Sequence, residues 1–207
     1  MVNFPTGVSG MSQQIQPYIS PQEYLRLERQ SEYKSEYVNG QIFAMTGASR
    51  KHNLITTNIS RELSQQLKGR PCEVYAVDMR VKVRATGLYT YPDVAVACGE
   101  PEFEDNFIDT LLNPTLLVEV LSPSTERYDR IAKSSYYRTM ESLAEHLLVA
   151  QDEIRVEQYV KQPNGECLLF EFLALDSTVQ LPSIACSLQL SEVYDRISFD
   201  PHQHARR

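Results

Sequence analysis

Apolar positions four apart, Ile55, Ile59, Leu63 and Leu67, mark the clearest element of this 207-residue chain. Such a repeat lines one stripe of a helix, so an amphipathic helix is predicted from Ser49, stopped by Gly69 and Pro71. A shorter helix is predicted from Ser20 to about Arg29. Ser20 is placed to cap it, Pro21 to open its first turn, Glu23 to close a Ser-x-x-Glu box, and Ile19 to pack on Tyr24. Between the two helices, residues 35–38 and 41–45 flank Asn39-Gly40. That dipeptide accepts the positive φ angles of a two-residue hairpin turn.

Further along, the period drops to two. Val77, Met79, Val81 and Val83 alternate with Asp78, Arg80, Lys82 and Arg84. This predicts a strand over 73–84 with one apolar and one largely basic face. A second strand, 88–97, returns after Ala85-Thr-Gly87. Residues 115–121, Thr-Leu-Leu-Val-Glu-Val-Leu, are apolar on both sides and predict a central strand. A helix follows Ser122-Pro123-Ser124, with Thr125 as its cap and Glu126 and Asp129 in its first turn. Strands are expected at 145–150, 154–161 and 166–175, the last two joined by Pro163-Asn-Gly165. This order implies an α/β (α+β) protein with a central mixed sheet flanked by helices. A single domain, 18–199, is expected between a flexible arm at 1–17 and a flexible tail at 200–207 that holds His202 and His204.

Composition narrows the function classes. No run of about 18 apolar residues exists, and the first residues lack the basic stretch and apolar core of a secretory signal. The expectation is a cytoplasmic protein without a membrane span. The four cysteines are irregularly spaced and read as reduced, partly buried thiols. A net charge of −7 works against binding nucleic acid. Locally, however, residues 50–84 carry eight positive side chains against three negative ones, and acids concentrate at 100–109.

Candidate chemistry begins with two acids. Asp93 follows Pro92 at a strand end, and Glu119 lies inside the apolar run. A buried carboxylate is costly unless a cation offsets its desolvation, and a divalent ion shared by Asp93 and Glu119 would do so. The alternative has Asp93 capping a turn and Glu119 pairing with an arginine. Lys133 lies about two turns into the following helix, with Arg130 and Tyr137 on its face. From there an ammonium could reach an attacking water or a developing phosphorane charge.

Pro92-Asp93, the block Glu119-Val-Leu-Ser-Pro-Ser-Thr125, Tyr128-Asp129-Arg130, Lys133, Leu147-Leu-Val-Ala-Gln151 and Val156-Glu157-x-Tyr159 together resemble a known family. It is the family of putative restriction endonucleases within the PD-(D/E)xK nuclease superfamily, and the similarity runs from about Tyr24 to Leu190. The resemblance implies a restriction-endonuclease-like core and metal-dependent hydrolysis of DNA phosphodiesters by an endonuclease. It implies Mg²⁺, with Mn²⁺ as substitute, held by Asp93, Glu119 and the carbonyl of Val120. Where the superfamily places its lysine, two residues after the second acid, this chain has Leu121, so Lys133 becomes the candidate. Glu36 matches an early acid near the metal, His52 a frequent histidine, and Gln151 a polar position close to the site. A homodimer is expected by analogy. The rival reading is a catalytically inactive nuclease-fold module for nucleic-acid or protein binding. A hydrolase of smaller phosphoesters is a third.

Overall fold

The structure, a computed structural model, describes residues 17–199. The expected arm, Pro17 excepted, and the expected tail with His202 and His204 lie outside the described residues.

Helix α1 (Pro21–Glu28) starts as its sequence requires, with Ser20 Oγ accepting the Glu23 N–H at 3.2 Å. The Glu23 carboxylate does not close the box; it pairs with Arg26 at 2.7 Å. Strands β1 (Ser35–Val38) and β2 (Gln41–Ala44) turn through Asn39 at φ 51° and Gly40 at φ 84°. Gly40 is doubly required, because a Cβ there would also lie 2.1 Å from the Tyr18 ring. Helix α2 (Arg50–Leu67) is capped by Ser49, whose Oγ accepts the His52 N–H at 3.1 Å. Its stripe of Ile55, Ile59, Leu63 and Leu67 is fully buried. Each such side chain contributes about 1.5–3 kcal/mol of transfer free energy.

The two long strands expected at 73–84 and 88–97 are each broken. β3 (Cys72–Ala76) and β4 (Arg80–Val83) part at Val77, which sits at φ 55°. β5 (Leu88–Thr90) and β6 (Val94–Cys98) part at Tyr91-Pro92-Asp93. Proline has no N–H for a ladder, so the chain leaves one sheet there and enters another. Then come β7 (Thr110–Leu111), β8 (Leu116–Leu121), α3 (Glu126–Tyr128), a π-helical turn at Asp129–Lys133, and α4 (Ser134–Arg138). Strands β9 (Glu145–Ala150), β10 (Val156–Lys161), β11 (Cys167–Phe172), β12 (Thr178–Leu181) and β13 (Cys186–Gln189) precede a short α5 (Leu190–Val193).

One sheet has the order β2-β1-β5-β4-β7, and a six-stranded mixed sheet has the order β11-β10-β9-β8-β6-β3. β8 is interior, antiparallel to β6 and parallel to β9. Val118 and Val120 pack with the α2 stripe and with β12, β13 and α5 on one face. Leu117 packs with Val81, Leu111 and Tyr137 on the other. Glu119 belongs to that second face by alternation.

Three expectations are corrected. Thr125 makes no capping bond; Ser122 Oγ accepts the Thr125 N–H at 3.2 Å instead, and the helix that follows is interrupted by its π turn. The basic face of β4 is not open to a ligand. Arg80 is buried and bonds Thr110, Tyr91 and Asp109, while Lys82 pairs with Glu104 and Arg84 with Glu102. The acidic segment 100–109 thus folds back and neutralises it, and Arg29 with Arg80 holds the Asp109 carboxyl well below the usual carboxylate range. Finally, Cys72 and Cys98 face each other across β3 and β6 and form a disulfide, leaving Cys167 and Cys186 as free thiols.

Candidate active site

The register of β6 on β8 assembles the first part of the site. Its last pair is Val94 opposite Val118, so one rung further Asp93 stands opposite Glu119, on the same face. Asp93 Oδ2 accepts the Val120 N–H at 2.7 Å, and Oδ1 lies 2.6 Å from His52 Nε2. Since a carboxylate only accepts, His52 Nε2 carries the proton in that bond; His52 Nδ1 is buried without a partner among the described residues. The N–H and C=O of a strand residue point to the same side, so the Val120 carbonyl faces Asp93 as well, past the end of the ladder.

Lys133 supplies the second part. Its ammonium lies 2.9 Å from Glu36 Oε1, 3.1 Å from Glu119 Oε1 and 3.7 Å from Asp129 Oδ1. The ammonium is thus in ion-pair contact with three acids. Tyr137 OH donates to Glu119 Oε1 at 2.5 Å, and Thr90 Oγ1 donates to Glu36. Lys133, Glu119, Asp129 and Glu36 are all buried, at 4%, 5%, 5% and 9% exposure. They form the floor of a cleft of about 930 Å³ that Asp93, His52, Gln151 and the loop Ser122–Thr125 also line.

Charge in this floor is unbalanced. Glu36, Asp93, Glu119 and Asp129 face a single ammonium. Burial pushes the Glu119 carboxyl up to about 8; Lys133 opposes this, and Asp129 and Asp93 add to it. Burial likewise raises Asp129. Burial pulls the Lys133 ammonium down, but Glu119, Tyr137, Glu36 and Asp129 outweigh it and hold it well above its ordinary value. Lys133 is therefore charged and the acids share too little positive charge.

Of the residues singled out from sequence, Glu36, His52, Asp93, Glu119, Val120, Lys133 and Gln151 all line this cleft. Gln151 opens the bend between β9 and β10. It is buried at 5% exposure, and its Oε1 accepts from Ser49 Oγ, the cap of α2, at 2.5 Å. Arg130 does not line the cleft: it pairs with Glu126 at 2.9 Å and with the buried Glu157. Asp129 and Tyr137, read from sequence as a first-turn acid and as a neighbour of Lys133 on its helix face, are also site residues, at i−4 and i+4 from Lys133. Nothing in the sequence marks Thr90.

Among the described residues no three His, Cys, Asp or Glu side chains converge to hold a metal by themselves. The donor set nonetheless fits a hard cation of the Mg²⁺ type, which takes one or two carboxylates and completes its shell with water and substrate oxygen. Each Asp93 oxygen retains a lone pair for such a contact.

A mixed sheet with paired acids at a strand crossing, helices on its faces and a buried lysine behind the acids defines a restriction-endonuclease-like nuclease core. Comparison with known proteins agrees. The Uma2 family profile, described as putative restriction endonuclease, matches residues 21–192, and the chain belongs to that family. The Synechocystis (strain PCC 6803) uncharacterized protein slr1290 is 36% identical over 183 residues, covering 88% of this chain and 95% of its own. A second Synechocystis protein, the uncharacterized sll1609, is 39% identical over 158 residues, covering 76% and 89%. The crystal structure of a putative nuclease belonging to DUF820 from Anabaena variabilis superposes with a TM-score of 0.71, covering 87% of this chain and 99% of that one. At 22% identity this last likeness speaks to the fold. Family and fold together support a nuclease-like function. No helix among the described residues is long and apolar enough to cross a membrane.

Proposed function

We propose that the protein is a Mg²⁺-dependent endonuclease that hydrolyses DNA phosphodiesters, with Mn²⁺ able to substitute. The observation that carries this reading is the surplus of carboxylates over the one buried ammonium, at a cleft floor where Asp93 and Glu119 stand opposite each other across β6 and β8. Asp93, Glu119 and the Val120 carbonyl are the groups to hold the cation. Bound there, it would supply charge for the phosphoryl oxygens and acidify a water.

The chain's own groups do the rest. His52 and the Val120 N–H fix the Asp93 carboxylate from two directions. Tyr137 orients Glu119, and Thr90 orients Glu36. Lys133, already poised between Glu36 and Glu119, donates to the attacking water or to a phosphoryl oxygen as negative charge develops. A homodimer acting in the cytoplasm completes the reading by analogy.

The test is incubation of plasmid DNA with the full chain in Mg²⁺ or Mn²⁺. Nicking or linearisation is expected from the natural sequence and not from Asp93→Ala, Glu119→Ala or Lys133→Ala. Cleavage no greater than that of the Asp93→Ala control would refute the activity.

A further inference from the structure

The cleft has a second wall that the chemistry above does not use. Phe43 pairs with Glu36 across β1 and β2, and directly opposed residues share a face. Phe43 therefore stands beside the acid that pairs with Lys133, 48% exposed on the cleft wall. Tyr33, 77% exposed, lines the same cleft. Its backbone is held by Ser31 Oγ, which accepts the Tyr33 N–H at 3.1 Å and donates to the Tyr33 carbonyl at 2.7 Å. Val77 adds a third apolar side chain at the left-handed break between the sheets. Neither Phe43 nor Tyr33 belongs to a core cluster. These rings face water beside the site and contribute nothing to the core.

The charge of the cleft sharpens what such rings would meet. Its lining carries six carboxylates, Glu32, Glu36, Asp78, Asp93, Glu119 and Asp129. Its only lysines or arginines among the described residues are Lys34 and Lys133, and both are paired, with Asp78 and with the floor acids. A protein that grips duplex DNA neutralises several phosphates with free Lys and Arg. This cleft has none to offer. Stacking draws on the faces of the rings and the bases and not on charge, and it is open to a strand whose bases are already unpaired.

We infer that the cleft takes an unpaired nucleic-acid strand, with bases stacked on Phe43 and Tyr33, in preference to an intact duplex. The inference rests on the nuclease reading of the same site and names its substrate class.

Fluorescence anisotropy of the full chain in Ca²⁺ tests it. The probes are one labelled oligonucleotide as a single strand, as a blunt duplex and as a duplex with an unpaired bubble. Single strand and bubble are expected to bind roughly tenfold more tightly than the blunt duplex. Phe43→Ala and Tyr33→Ala should each weaken single-strand binding by roughly 5- to 150-fold, the range of base–aromatic stacking. Melting temperatures should not move, since neither ring is in the core. The salt dependence should be shallow, with about one or two ions released. Equal or tighter binding of the blunt duplex, or alanine variants that bind like the parent, would overturn the inference. The plasmid assay separates the two claims. Strand-selective binding without any cleavage removes the nuclease reading alone. Cleavage of intact duplex that ignores Phe43→Ala and Tyr33→Ala removes the stacking inference alone.

Discussion

Lys133→Met is the most informative single change, because it removes the only ammonium of the cleft floor while keeping an unbranched stem of similar length. The ammonium stands 2.9, 3.1 and 3.7 Å from three carboxylates. At an effective dielectric near 20, each contact attracts by about 4–6 kcal/mol, or roughly 15 kcal/mol gross. The loss cannot be that large, because the abandoned acids take up protons. What remains is the cost of breaking a buried ion pair from one side, about 3–5 kcal/mol. The pH sign follows from the same exchange. Burial raises the folded pKa of Glu119 and Asp129 above the unfolded one, so their contribution is intact below the unfolded carboxylate range and is lost as pH rises through the folded values. Glu119 already stands at about 8 with Lys133 present. The deficit should therefore be large at pH 8 and small at pH 5. Urea unfolding followed by circular dichroism at both pH values measures it, since the chain has no tryptophan. A chain of this size loses about 2–4 °C of Tm per kcal/mol, so the melt at pH 8 should fall by about 6–20 °C. Mg²⁺ should recover part of that fall by replacing the missing charge. A midpoint unchanged at pH 8, or the same loss at both pH values, refutes Lys133 as the buried counter-ion.

Other residues give independent outcomes. His146 is buried against Tyr159, with ring centroids 4.4 Å apart, and burial, aided by Arg138, lowers it from 6.5 to about 3. Its folded pKa is depressed, so stability is full above about 6.5 and falls as pH drops toward 3; His146→Phe should flatten that limb of a denaturation series, by at most about 4–5 kcal/mol. Arg80→Leu leaves Asp109 with Arg29 alone and removes the buried donor to Thr110 and Tyr91; it should cost about 1–3 kcal/mol in thermal melts, while cleavage per folded molecule persists. Gly40→Ala forces a side chain into left-handed backbone and against Tyr18, and should cost at least about 1–2 kcal/mol by urea titration.

Elements with a local cause were legible in the sequence. The cap at Ser20, the turn at Asn39-Gly40 and the four-residue stripe of α2 each depend on neighbours a few positions away, and each formed as read. Whatever depends on which strand meets which was hidden. The alternation over 73–84 is continuous in sequence, yet Val77 and Pro92 divide both strands between two sheets. The basic face of β4 is plain in the sequence, but its partners, Glu102, Glu104 and Asp109, lie roughly 20 to 30 residues away. The Cys72–Cys98 pairing is likewise a matter of register, 26 residues apart. The cleft residues were named one by one, but the convergence of Lys133 on Glu36 could not be read, since they come from different layers of the fold.

That convergence bears on why the lysine stands on a helix. Two residues after Glu119, Leu121 shares its face of β8 and is buried. A lysine there would belong to the six-stranded sheet alone. From the π turn, the Lys133 ammonium reaches Glu119 on β8 and Glu36 on β1, and so joins the two sheets across their seam. Asp93 stands at the same seam, its carbonyl accepting the Val77 N–H at 2.9 Å while its carboxylate accepts from β8. The geometry of the cleft floor therefore exists only when both sheets are docked. Glu36→Gln separates this account from one in which Glu36 serves the reaction only. It keeps the shape and the Thr90 contact but removes the charge that ties Lys133 to β1. If Lys133 is the tie, the variant should lose cleavage and about 1–3 kcal/mol of stability together. Loss of cleavage with an unchanged urea midpoint would show that Glu36 acts on the reaction and not on the docking of the sheets.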